Sequence, residues 1–103
     1  MSEKTPQLPA DATAYKRTPV FDAATIPAAL THEHRTKRGT WALIQVLSGS
    51  LLLRRLAPEA GKAAESRHVP GTPGVIRPEE PHEVTPGEGT RFYVEFYRQA
   101  EKP

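Results

Sequence analysis

Eleven prolines and seven glycines punctuate a chain of 103 residues, and this spacing constrains the fold more than any other feature. Proline removes a backbone donor and clashes with the preceding helical turn, while glycine inside a helix forfeits backbone entropy, so a bundle of long helices cannot survive so many interruptions. Short strands joined by turns are the remaining solution. The length is that of one domain. Hydrophobic residues make up 37% of the chain, which is lean but sufficient for a small core. A two-domain enzyme is not expected.

Along the chain, residues 1–13 lack periodicity and carry Pro6 and Pro9, and they read as an N-terminal tail; residues 100–103 read as a C-terminal one. Tyr15 to Phe21 reads as an extended segment at a sheet edge, because Pro19 cannot donate to a ladder. Asp22 stands where it can cap a single turn before Pro27. The apolar run from Trp41 to Leu53, interrupted by Ser48-Gly49-Ser50, predicts a hairpin covered on both faces, one by an opposing sheet and the other by the N-terminal segment or a second subunit. Residues 57–67 read as an exposed loop. Thr90 to Arg98 alternates, with Phe92, Val94 and Phe96 on one face and Tyr93, Glu95 and Tyr97 on the other. Seven or eight short strands of this kind predict an all-β domain, either a sandwich or a small closed barrel.

The chain has no cysteine and a formal net charge of +2. Disulfides, thiolate metal sites and thiol nucleophiles are thereby excluded, and any metal site must use histidine and carboxylate. No basic stripe interleaved with exposed aromatics points to nucleic acid. The N-terminus carries no apolar signal segment, and no apolar run is long enough to cross a membrane as a helix, so the expected compartment is the cytoplasm. The G-x-S-x-G, Walker and dinucleotide patterns do not occur.

Four histidines are available. In His32-Glu33-His34, residues two apart on a strand share a side, so both imidazoles can reach one ion or ligand; beside Arg35, Lys37 and Arg38 the same residues also fit a solvated basic loop. In Pro78-Glu79-Glu80-Pro81-His82, proline on both flanks restricts the turn and gives His82 a fixed direction, suited either to a ligand or to a plain strand start. Glu95 is outside if the phenylalanine face fills the core, and inside if the tyrosine face lines a cavity. His68 has no motif and reads as a surface loop residue. The pairs Lys16-Arg17 and Arg54-Arg55 read as solvated, and Trp41 as a packing residue.

Five blocks in order, namely residues 15–21, 34–41, 46–51, 78–82 and 92–97, resemble the TehB/YeaR-like family, and the resemblance covers residues 15–97. This family comprises small cupin-like β-barrels, occurring alone or as the N-terminal part of some tellurite-resistance methyltransferases. The resemblance implies an all-β, cupin-like double-stranded β-helix, a jelly-roll barrel over residues 14–99, with a site in its mouth. It also implies an association with tellurite or nitrosative stress. His32 and His34 resemble the family's H-x-H pair, Gly49 its closing glycine and His82 the histidine of its second block. The expected first-block carboxylate position is Ala42, which leaves Glu95 as the substitute.

On this basis the chain is expected to hold a divalent metal (zinc, iron or nickel) through His34, His82 and either His32 or Glu95, with an open position for water or a small anion. Arg35 and Lys37 would make the mouth electropositive and favour an oxyanion or carboxylate. A second expectation is a metal-free module whose barrel, lined by Tyr93 and Tyr97, takes a small organic molecule. A third is an enzyme whose metal activates water or dioxygen. Strands apolar on both faces predict a homodimer.

Overall fold

The computed structural model describes residues 8–27, 36–57 and 64–99. Among the described residues there are eight strands: β1 (Ala12–Arg17), β2 (Phe21–Asp22), β3 (Thr40–Ser48), β4 (Leu51–Arg55), β5 (Glu65–His68), β6 (Gly74–Ile76), β7 (His82–Pro86) and β8 (Arg91–Gln99). They form two antiparallel sheets. In the larger, β1, β8, β3 and β6 lie side by side with β2 also paired to β8; in the smaller the order is β5, β4, β7. No helix among the described residues is long and apolar enough to cross a membrane.

The alternation in β8 sorts its side chains as the sequence predicts: Phe92 and Val94 are buried with Ala42, Ile44 and Val46 of β3, against Leu51, Leu53 and Val84 of the smaller sheet. Asp22 caps its turn, its Oδ1 accepting from the amides of Ala24 at 2.9 Å and Thr25 at 3.0 Å. These hydrogen bonds, led by that from the Thr25 side chain, hold the Asp22 carboxyl below its ordinary value. The strand expected near Pro19 lies at a sheet edge, where β1 and β2 successively flank β8. Ala12 and Thr13, read in the sequence as the end of a tail, begin β1.

Three expectations are corrected. The double-stranded β-helix is not the architecture: the sheets face each other without a ladder joining them among the described residues, and a barrel requires hydrogen bonding to continue around its whole circumference. The hairpin predicted across Ser48-Gly49-Ser50 is instead a corner between sheets, because β3 pairs with β6 and β8 whereas β4 pairs with β5 and β7. Gly49 makes the corner in the left-handed region, at φ 79°. Thr90 secures it: its hydroxyl donates to the Ser50 carbonyl at 2.6 Å and accepts from the Ser50 amide at 3.0 Å. The third correction is β5, which falls in the stretch read as a loop. Its Glu-Ser-Arg-His sequence lacks an apolar alternation, and its pairing with β4 at the sheet edge supplies the order.

Candidate functional site

The inner faces of the sheets line a partly open cavity of about 210 Å³. Its walls are apolar, formed mainly by Phe21, Ile44, Ile76, Val84, Phe92 and Phe96, and His82 is the one ionisable side chain lining it among the described residues. His82 begins β7 and is buried.

The turn before β7 explains this placement. Arg77 and Glu80 close it through a 3.2 Å bond from the Glu80 amide to the Arg77 carbonyl, with Pro78 at the second position. Glu79 occupies the third with φ 61°, a conformation ordinarily left to glycine or asparagine. Thr36 braces this residue, its hydroxyl accepting from the Glu79 amide at 3.0 Å and donating to the Arg77 carbonyl at 3.2 Å. The Glu80 carbonyl then accepts from His82 Nδ1 at 2.8 Å. A carbonyl can only accept, so Nδ1 carries a proton.

Beneath the turn lies a buried ion pair. Arg55 Nη1 donates to Glu80 Oε1 at 3.1 Å, Arg55 Nη2 donates to the Val75 carbonyl at 3.0 Å, and the Arg77 amide donates to the same Glu80 oxygen at 3.1 Å. Arg55 faces His82 directly across β4 and β7. Reading Arg54-Arg55 as a solvated pair is therefore corrected for Arg55. The signal was present, since Arg55 shares the parity of Leu51 and Leu53 and so falls on the inward face. Burial pulls the Arg55 guanidinium below its ordinary range while the Glu80 charge opposes this.

Glu95 lies on the opposite face of the larger sheet from the cavity. Its Oε2 is 3.3 Å from Arg17 Nη2, and its Oε1 accepts from Tyr97 at 3.4 Å and Gln45 at 3.5 Å. Arg17 also stacks on Tyr93, 4.7 Å from the ring centre. Burial, then the Glu95 charge, raises the Tyr97 phenol above its ordinary value. Tyr93, Glu95 and Tyr97 thus form one outer cluster, and neighbouring Val94 and Phe96 face the cavity. The structure does not bring Glu95 to His82. His32, His34 and Arg35 lie outside the described residues. Among the described residues no three His, Asp or Glu side chains come together as a metal site; of the expected ligands only His82 and Glu95 are among those residues, and they lie apart.

His68, expected on the surface, is buried. Its Nδ1 donates to the Thr72 carbonyl at 2.9 Å and its Nε2 accepts from Ser66 Oγ at 2.7 Å. It packs against Gly74, where an added Cβ would lie 3.1 Å from its ring.

Lys37 stands at a second depression, a groove of about 410 Å³ that it lines with Tyr15, Lys16, Arg38 and Arg98. The sequence singled out Lys37 as an electropositive residue of the site but missed Lys16 and Arg98, which pairing alone brings near it. Thr36 and Phe96 line both the groove and the apolar cavity.

A family model described as the TehB-like domain matches residues 16–94. The chain belongs to the TehB-like family. Among solved structures, TehB from Haemophilus influenzae is 26% identical with a TM-score of 0.77, and the alignment covers 87% of this chain but 32% of that one. A protein from E. coli (strain K12) shares the fold at 23% identity and a TM-score of 0.83, covering 94% of this chain and 100% of that one. No curated protein is significantly similar in sequence. The TehB-like domain here thus corresponds to about a third of the TehB chain.

Proposed function

We propose that this TehB-like domain binds a small organic molecule in the cavity between its two sheets. The observation that carries the proposal is a partly open apolar recess of about 210 Å³ with the buried His82 imidazole on its wall. Ligand sites are typically concave, mostly apolar and provided with a few fixed polar groups. A dry cavity of about 150 Å³ admits benzene, so this one suits a molecule with a body about the size of a substituted ring. His82 places its imidazole on the wall of this space, with the ring held by the Glu80 carbonyl. The association with tellurite or nitrosative stress that the family resemblance implies names a setting for such a ligand rather than its structure.

Titration with benzyl alcohol, followed by the NMR signals of Ile44, Ile76 and Phe92, tests this reading. Saturable shifts are expected, with their loss in Ile76→Phe, which fills the space. The absence of saturable shifts with either benzyl alcohol or benzoate would overturn it.

A further inference from the structure

We infer that the ligand is a small organic acid, its apolar body seated between the sheets and its carboxylate held in the adjoining groove by Lys16, Lys37, Arg38 and Arg98. This assignment rests on the reading of the cavity as a ligand site.

The groove continues the inner face of the larger sheet beyond the cavity. Thr40 and Arg98 are paired across β3 and β8, and Lys16 is paired with Phe96 across β1 and β8. A bulge at Tyr15 produces the second pairing: Ala14 faces Tyr97, but Lys16 rather than Tyr15 faces Phe96. The extra residue re-aims the strand, so that Tyr15 and Lys16 both line the groove. Tyr15 then bonds Thr40 across 3.2 Å and receives Arg98 over its ring at 4.2 Å.

Four cationic side chains line this concavity, and no acidic side chain does so among the described residues. Like charges gathered in a recess repel one another, and an anion seated among them removes that repulsion and gains charge-assisted hydrogen bonds. The Tyr15 phenol responds to this environment: the hydrogen bond from Thr40, followed by Arg98 and Lys37, holds it below its ordinary value.

Thr36 and Phe96 form the boundary shared by the two spaces. The Thr36 hydroxyl is already engaged by Arg77 and Glu79, whereas Phe96 is held by packing alone against the core. A molecule spanning the boundary therefore needs an apolar body on one side and a negative charge on the other. Neither a neutral hydrocarbon nor a bare inorganic anion satisfies both halves.

The test compares benzoate with benzyl alcohol by calorimetry and by NMR on the intact chain. Benzoate is expected to bind about tenfold more tightly at low salt, with the advantage shrinking as salt screens the cations. Both compounds should shift Ile44 and Ile76, and benzoate alone should shift Lys37 and Arg98. The Lys37→Glu/Arg98→Glu variant should lose the preference and keep its affinity for the alcohol, which also reports that it is folded. Equal binding of the two compounds would overturn the acid assignment and leave the cavity reading standing. So would a preference that survives charge reversal, or benzoate shifts confined to the groove. If neither compound shifts Ile44 and Ile76, the cavity reading fails and this inference with it.

Discussion

Arg55 and Glu80 form an ion pair 3.1 Å apart with side chains only 5% and 4% exposed. Both charges lie next to the turn that aims His82. Glu80 Oε2 is buried without a hydrogen-bond partner among the described residues, 3.8 Å from Arg77 Nη2. Removing one member of such a pair leaves the other uncompensated, a loss typically of about 3–5 kcal/mol. Arg55→Met is expected to destabilise the fold by that order in urea denaturation. Arg55→Met/Glu80→Met should recover a substantial part of the loss, because neither charge is then stranded. A double variant as unstable as the sum of the singles would show that the two residues act independently.

Glu79 predicts the opposite direction. A side chain at φ 61° carries a penalty of roughly 1 kcal/mol that glycine avoids. Thermal melting of Glu79→Gly is expected to match or exceed that of the parent chain, despite the entropy glycine adds to the unfolded state. Glu79→Val should melt lower, since a β-branched side chain tolerates this region poorly.

Gly49 admits no such freedom. A Cβ there would stand 2.5 Å from Thr90 Oγ1 and 2.7 Å from Thr90 Cα, at φ 79°. Gly49→Ala must therefore displace backbone as well as adopt a disfavoured conformation, and a loss of about 2–4 kcal/mol is expected. Chemical denaturation measures it, and an unchanged midpoint would disprove this account of the corner.

His68 predicts a pH dependence. Burial, opposed by its bond to the Thr72 carbonyl and reinforced by the Arg55 charge, holds its folded value below the ordinary 6.5. Below pH 6.5 the unfolded chain therefore takes up a proton that the folded chain refuses. Stability contributed by the neutral ring is complete above that pH and is lost as pH falls toward the folded value, with a slope of at most about 1.4 kcal/mol per pH unit. Urea midpoints at pH 7.5 and 5.5 should differ accordingly, and His68→Gln should flatten this component.

The local alternation of β8 was legible in the sequence because side-chain period is a property of the strand itself: Phe92, Val94 and Phe96 share one face as their spacing requires, and that face lines the cavity. The same holds for the Asp22 cap and for the proline-bounded turn before His82, whose geometry arises within a few residues. Arg55 was legible by parity, although its charge argued for solvent. Family membership was legible too, as five weak blocks in a fixed order. The closed barrel attached to that resemblance was not correct, because whether two sheets join depends on hydrogen bonds between their edges.

Sequence alone thus determined an all-β chain of short strands, where it turns and which residues of its last strand share a face, since these follow from dihedral preference and side-chain period. Tertiary structure decided that Ser48-Gly49-Ser50 is a corner rather than a hairpin, because the same turn residues serve either path. It decided that Glu95 belongs with Arg17 and Gln45 rather than with His82, a choice made by the sheet that covers the other face. It also brought Lys16, Lys37 and Arg98 to one groove. Their charges stand far apart along the chain, and only strand register and the bulge at Tyr15 make them neighbours.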